Sequence, residues 1–332
     1  MSRIAILGGG SWGTALAIVL SRARRKHDIS LWVHDPALAE SIRRDRENRA
    51  YLPGHRLAPE VSVTCEIHDA ISGAQILVGA TPTAHARAVY STAAEGASPR
   101  AAFVSAAKGL EPATHKRMSE VVLEVFAPKP RFAVLSGPSF AAEAARGEPT
   151  AVVLASSDAL LASELQEEFA APNFRVYTND DVLGVELAGA MKNVIAIAAG
   201  VCQGLGLGSN PLAALITRGL AEMSRLAAAL GAQPETLTGL AGLGDLVLTC
   251  TGALSRNRQV GIELGKGRAL GEILAGMRMV AEGVATTAAL LALAGEAKVE
   301  LPITEQVDAI LHQGKSPREA IRDIMERPQK RE

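Results

Sequence analysis

The feature that most constrains this chain is a glycine cluster close to its start. Ile4–Leu7 is a short, continuous apolar run, Gly8-Gly9-Gly10-Ser11-Trp12-Gly13 follows, and Thr14–Leu20 returns at once to helix-forming residues. G-x-G-x-x-G between a first strand and a first helix is the spacing of a dinucleotide-binding turn. Gly8 permits the tight turn, Gly10 lets a pyrophosphate reach the backbone, and Gly13 lets helix and strand pack closely. Phosphates would then lie on the N–H groups and positive dipole end of the helix that Ser11 and Trp12 open. A plain flexible turn is the alternative, and the flanking strand and helix weigh against it. The second apolar run ends at Val33-His34-Asp35, with Asp35 22 positions after Gly13. An acid there bonds a ribose 2′-hydroxyl and favours NAD. His34 and the following Arg43, Arg44 and Arg46 offer partners to a 2′-phosphate, so the residues leave NAD against NADP open.

The rest of the first half alternates apolar runs with helical stretches. Ile29–Val33, Val61–Thr64, Ile76–Ala80, Ala102–Ser105 and Phe132–Leu135 read as strands buried on both faces, and Thr14–Arg24 and Pro36–Arg46 as helices. Ala151–Ala155 and Phe174–Val176 extend the sheet. This pattern predicts a doubly wound α/β domain over 1–181. From 182 to 332 strand-like runs nearly vanish. Val182–Val201, Pro211–Leu230, Asn257–Leu264, Leu270–Ala275 and Thr286–Ala294 predict an all-α domain, with Asn210-Pro211 as a helix start and Gly231 as a helix stop.

Composition narrows the function classes. Lys+Arg (34) balance Asp+Glu (35), and aromatics are 3% of the chain, so neither a basic field nor a stacking surface for nucleic acid is expected. Three scattered cysteines, Cys65, Cys202 and Cys250, form neither a disulfide framework nor a metal cluster, which fits a reducing, cytoplasmic setting. The opening Arg3-Ile4-Ala5-Ile6 lacks a signal-peptide layout. The uncharged run Asn193–Thr217 has the length of a membrane span, but its glycines and Pro211 mark it as a buried soluble segment rather than a stable membrane insertion.

Several polar groups stand out. Lys108 follows the strand Ala102–Ser105, at the carboxyl edge where α/β sheets bind ligands; a solvated loop lysine is the plainer reading. Lys192 lies in a helix too apolar for a surface, among Ala188, Gly189, Ile195 and Ala196. Desolvation there would suit it to proton transfer; a snorkelling lysine or an ion pair with Glu186 stands beside that reading. Gly239–Gly244 reads as a glycine-rich turn presenting Asp245. Ser255-Arg256-Asn257-Arg258 opens a helix with guanidinium groups suited to an oxyanion, or is an ordinary capped helix. Ser136-Gly137-Pro138-Ser139-Phe140 is a tight turn after a strand. Hydrolase patterns are missing, so the motifs favour redox chemistry.

Together these segments resemble the NAD(P)-dependent glycerol-3-phosphate dehydrogenases of the bacterial biosynthetic type. The resemblance rests on Gly8–Ala17, Asn48-Arg49-Ala50-Tyr51-Leu52-Pro53-Gly54, Lys108-Gly109-Leu110-Glu111, Leu135–Ala141, Glu186–Asn193, Gly242–Leu246, Ser255–Arg258 and Val280-Ala281-Glu282-Gly283, in order along nearly the whole chain. It implies a Rossmann-type domain followed by a helical substrate domain, and reversible reduction of dihydroxyacetone phosphate to sn-glycerol 3-phosphate for glycerophospholipid synthesis. It implies that Lys192 transfers the proton, with Lys108 and Asp245 beside it. It further implies that Gly137, Ser139, Ser255, Arg256 and Asn257 hold the substrate. Ser11, Trp12, His34, Lys108, Ala141, Arg256, Val280 and Glu282 would contact NADP or NAD. The family leans toward NADPH, while Asp35 beside His34 departs from relatives with arginine there. No metal is implied, and a homodimer is the base-rate expectation. A dehydrogenase of the same architecture acting on another hydroxy acid, or a non-catalytic NAD(P) sensor, are the rivals.

Overall fold

The computed structural model describes residues 1–277 and 279–329; Arg278 and 330–332, which fall in the segment assigned to the second domain, lie outside the described residues. The chain divides into two compact units, Met1–Glu186 and Leu187–Glu332. The division falls inside a helix, Val182–Gly204, rather than ahead of it.

The first unit is built on eight strands: β1 (Ser2–Leu7), β2 (His27–Trp32), β3 (Val61–Thr64), β4 (Ile76–Gly79), β5 (Ala102–Ser105), β6 (Phe132–Ser136), β7 (Thr150–Ala155) and β8 (Phe174–Asn179). Their order is β3-β2-β1-β4-β5-β6-β7-β8. All neighbours run parallel except β6 and β7, which pair antiparallel with Leu135 opposite Leu154. Alternate residues of β1 serve opposite faces. Ile4 and Ile6 pack with Leu16 and Val19 of the first helix, while Ala5 and Leu7 face a layer containing Leu77, Tyr90 and Phe103. Burial on both faces explains why this strand carries no polar residue from Ile4 to Leu7. The few aromatics are concentrated: Phe103 meets Tyr90, Phe126 and Phe132 with ring centroids 4.9, 5.5 and 6.3 Å apart.

The second unit is helical, with no strand among its described residues. Its packing depends on backbone proximity. A Cβ on Gly200 would stand 2.0 Å from the Arg258 carbonyl oxygen, and one on Gly261 2.0 Å from that of Ile197. Helices Val182–Gly204 and Arg256–Gly265 therefore meet along a glycine seam, and glycine there is required by contact rather than by φ. Three expectations need correction. Helix Ser209–Ala229 begins two residues before Pro211, with Gly208 as its N-cap. The Asn193–Thr217 run is buried to Val201, but Gly206–Pro211 and Ala213–Ala214 are exposed, because the chain turns at Leu205–Gly208 into a helix that buries only one stripe. The expected turn before Asp245 is a π-helix, Leu240–Gly244, continuing into the helix Asp245–Thr251.

Among the described residues one helix, Val182–Gly204, is long and apolar enough to cross a membrane, and the pair Pro234–Thr251 with Arg256–Gly265, bent by 46°, qualifies only if taken as one broken span. The first is 83% buried inside the fold, as a core helix is.

Candidate active site

In the sheet unit, the glycine turn occupies the carboxyl end of β1. Gly8 has φ +133°, and a Cβ on Gly13 would lie 1.9 Å from the Gly8 carbonyl oxygen, so both are held to glycine by the fold. Around Gly10 nothing comes within 4 Å of a Cβ position. Its openness is required by no protein neighbour, and space beside the backbone is what a pyrophosphate needs. Gly10 is also the N-cap of helix Ser11–Ser21 and offers no side-chain cap to its first N–H groups. The buried indole Nε1 of Trp12 has no hydrogen-bond partner among the described residues. These features fit a nicotinamide dinucleotide.

The turn is braced from beneath by a residue whose role the sequence did not show. Asn48, fully buried, donates from Nδ2 to the Gly9 carbonyl (2.8 Å) and the Thr14 hydroxyl (2.9 Å). It belonged to a recognised block, but nothing in spacing alone links it to a turn 39 positions away.

At the end of β2, His34 and Asp35 are exposed. Asp35 caps the helix Pro36–Asp45, accepting from Ala37 (2.9 Å) and Leu38 (3.3 Å) at Oδ1. The three arginines proposed as 2′-phosphate partners sit at the far end of that helix. Arg43 pairs with Glu40, Arg44 with Asp45, and Arg46 donates to the carbonyls of Ala58 and Val61. A ten-residue helix spans roughly 15 Å, which removes them from the strand end.

After β5 and β6 the structure joins three expected residues. Lys108 donates from Nζ to the Gly137 carbonyl (2.8 Å) and the Ser139 hydroxyl (3.1 Å). Ser139 in turn donates to the Gly137 carbonyl (2.8 Å), and Ala141 opens the following helix. The Lys108 loop is held by buried Glu111, which takes a two-pronged contact from Arg87 at 2.8 Å on each oxygen and a hydroxyl from Thr114. Those contacts, led by Arg87, hold the Glu111 carboxyl below the usual range.

Glu186, considered as a partner for Lys192, is engaged elsewhere. It accepts from the Ser119 N–H (2.8 Å), the Ser119 hydroxyl (2.6 Å) and Arg117 (3.2 Å). Burial pushes its carboxyl upward, against the pull of Arg117 and Ser119.

In the helical unit, Lys192 is 5% exposed and Asp245 1%. Lys192 Nζ lies 2.6 Å from Asp245 Oδ1 and 2.9 Å from the Thr249 hydroxyl. A carboxylate at that range stabilises the ammonium that burial penalises, and the pair fixes where the cation points. Thr249 stands one helical turn after Asp245 and also donates to the Asp245 carbonyl (2.6 Å). The sequence hides it because Gly239–Gly244 has the composition of a turn, and the i, i+4 relation has meaning only on a helix. Burial sends the neighbouring Cys250 thiol up to about 12, so it is inert rather than nucleophilic.

Asn193 and Asn257 form a second buried bridge. Asn257 Nδ2 donates to Asn193 Oδ1 (2.9 Å), and Asn257 Oδ1 accepts from the Gly283 N–H (2.9 Å). Ser255 caps helix Arg256–Gly265, accepting from Arg258 N at 3.2 Å. Arg256 makes no hydrogen bond or ion pair among the described residues, and desolvation lowers its pKa despite the opposing charge of Glu282. A desolvated guanidinium at a helix N-terminus calls for an anion. Val280, by contrast, is 46% exposed. No group of three metal-ligating side chains occurs among the described residues.

A dinucleotide turn on a mostly parallel sheet, joined to a helical unit with a buried lysine–carboxylate pair, defines the class: a two-unit NAD(P)-dependent dehydrogenase. Residues 3–162 match the model of the NAD-dependent glycerol-3-phosphate dehydrogenase N-terminus and residues 181–322 that of its C-terminus. The chain belongs to the NAD-dependent glycerol-3-phosphate dehydrogenase family. It is 56% identical to the glycerol-3-phosphate dehydrogenase [NAD(P)+] of Koribacter versatilis over 99% of this chain and 98% of that protein. It is 52% identical to that of Nitratidesulfovibrio vulgaris over 98% of each. The crystal structure of glycerol-3-phosphate dehydrogenase from Coxiella burnetii superposes with a TM-score of 0.94 at 40% identity, covering 98% of this chain and 99% of that one.

Proposed function

We propose that this chain reversibly reduces dihydroxyacetone phosphate to sn-glycerol 3-phosphate, with Lys192 carrying the proton. The observation that carries the reading is the buried Lys192–Asp245–Thr249 cluster, in a chain whose glycine turn leaves Gly10 open at an uncapped helix start. NAD(P)H supplies the hydride when bound. Gly8, Gly10, Ser11, Trp12 and Gly13 seat its pyrophosphate, and His34 and Asp35 at the end of β2 meet its ribose. Lys192 holds a proton at Nζ and releases it to the carbonyl oxygen as negative charge develops there, taking it back in the reverse direction. Asp245 and Thr249 keep that ammonium in one orientation. Arg256, with Ser255 and the first turn it caps, binds the substrate phosphate, an anchor that turns a loose encounter into a positioned one. Lys108 and Ser139 hold substrate oxygens. The bonds already made by Asn257 favour a role in setting Lys192–Asn193 against the Ser255–Arg256 turn, beside any direct contact with substrate. On this reading 1–181 seats the nucleotide and lends Lys108 and Ser139, and 182–332 carries the proton donor and the phosphate anchor.

The decisive experiment follows loss of reduced-nicotinamide absorbance with dihydroxyacetone phosphate, using NADH and NADPH in parallel. Wild type is expected to turn over, and Lys192→Ala to lose about 10²–10⁴ in kcat with cofactor affinity unchanged. A folded wild-type protein that binds cofactor and oxidises none would return the assignment to a sensor or another hydroxy acid. We further infer a cytoplasmic enzyme supplying glycerophospholipid synthesis as a homodimer. The dimer rests on the frequency of two-fold homo-oligomers among soluble enzymes; sedimentation at the mass of a single chain would exclude it.

A further inference from the structure

The first helix carries the glycine turn at its start and a cationic cavity at its end. A cavity of about 450 Å³ is lined by Ser21, Arg22, Arg46 and Arg56 with apolar walls from Ile18, Leu57 and Pro59. It is a wide-mouthed surface cleft, open to solvent on one side. Helix Ser11–Ser21 has eleven residues, so roughly 16 Å separates this cavity from the nucleotide turn. No carboxylate lines it. Arg22 spends one nitrogen on the Ala145 carbonyl (2.8 Å). Arg46 is pinned through one amino group to the carbonyls of Ala58 and Val61, leaving a buried Nε without a partner among the described residues. None of Arg22, Arg46 and Arg56 has an ion-pair partner among the described residues, whereas neighbouring Arg43 and Arg44 are both paired. Arg46 also sits at φ 54°, a left-handed position uncommon for a non-glycine residue. Beside the cavity, burial and then the charges of Arg146 and Arg22 hold the His55 imidazole below its usual range. Three arginines lining one cavity without a carboxylate among its walls make it electropositive, which favours an anion.

The same loop is wired to the nucleotide turn. Leu57 donates its N–H to the Arg46 carbonyl (2.8 Å), and Glu47 bridges Arg56 through the backbone. The Glu47 carboxylate accepts from the Gly54 N–H at 2.8 Å. Asn48, between the two arginines in sequence, holds Gly9 and Thr14. We propose that this cavity is a second anion site, taking a small phosphorylated compound with two or more negative charges, and that its occupancy is transmitted through Asn48 to the glycine turn. The guanidinium groups receive the phosphoryl oxygens, and Leu57, Pro59 and Ile18 face the ligand's uncharged body.

Isothermal titration of the full chain with pyrophosphate, and separately with AMP, tests this in wild type, Arg56→Gln and Arg256→Gln. Arg56 is exposed and its side chain makes no hydrogen bond among the described residues, so Arg56→Gln keeps the fold. The expected result is one binding event weakened about tenfold or more in Arg56→Gln and retained in Arg256→Gln. Tighter binding of AMP would assign a nucleotide ligand, and tighter binding of pyrophosphate an inorganic one. Saturating anion should also change NADPH affinity by about threefold or more in wild type beyond the change seen in Arg56→Gln, which retains direct competition at the turn. Equal anion affinities in wild type and Arg56→Gln, or equal effects on NADPH, would overturn the site or its coupling respectively.

Discussion

The two units make their functional groups in opposite ways. The sheet unit uses backbone: an open Gly10, an uncapped helix start, and the Gly137 carbonyl that locates Lys108. The helical unit uses buried side chains with charge or amide groups, Lys192 on Asp245 and Asn193 on Asn257. Glycine shows the contrast most directly. At Gly10 its smallness leaves room for a ligand, and at Gly261 it lets two helices touch. A dinucleotide is recognised largely through phosphates that any N–H can meet, so strand ends and a helix start suffice. Moving a proton at one carbonyl oxygen needs a specific side-chain atom, which must be desolvated and then held.

That contrast can be broken at single residues. Gly261→Ala places a Cβ about 2.0 Å from the Ile197 carbonyl oxygen and should cost about 3 kcal/mol, the upper end of overpacking, read by urea unfolding; an unchanged midpoint would show that the seam yields. The Cβ of Gly10→Ala would have no protein atom within 4 Å beyond its chain neighbours and its own helix, so its unfolding midpoint should hold while NADPH affinity falls about tenfold or more; lost stability with intact affinity would reverse the assignment.

The smallest effects concern two buried carboxylates with opposite pH signatures. Glu111 is held below its reference value of 4.5, chiefly by Arg87, so its stabilisation is complete above 4.5 and fades as pH falls through the folded-state value. Burial raises Glu222 above 4.5, against bonds from Thr304 and Ile303. Its stabilisation is complete below 4.5 and fades as pH rises through the folded-state value. The stability gap between wild type and Glu111→Gln should therefore widen with rising pH up to about 4.5 and then level. The gap for Glu222→Gln should shrink as pH climbs from about 4.5 toward neutrality. Parallel unfolding curves at several pH values decide it, and equal slopes would remove the distinction.

The sheet was legible because each strand is a local signal. Val61–Thr64 and Ala102–Ser105 match the reading residue for residue, and the other strands differ by one to three positions at an end. The antiparallel turn of β7 was not legible, since a buried apolar run has no direction. In the helical unit Lys192 and Asp245 each stood out, but only the family resemblance set them together; spacing alone offered a different acid. Glu186 was the nearer acid in sequence, and Asp245, 53 positions on, is the one in contact. Helix Asp245–Thr251 was hidden behind the glycines of Gly239–Gly244 that precede it, and Thr249 with it.

Local pattern therefore settled what kind of chain this is. Strand, glycine turn and helix are contiguous, so their chemistry follows from neighbours along the backbone and survives in one dimension. Which charges pair, which asparagine braces the turn, and which arginines gather around a cavity are matters of long-range approach. Asn48 reaches Gly9, and Asn257 reaches Asn193, only because helices and loops distant in sequence are packed to within a hydrogen bond of each other. Burial then sets the cost of each such group, and burial is a property of the packed fold that no single segment contains.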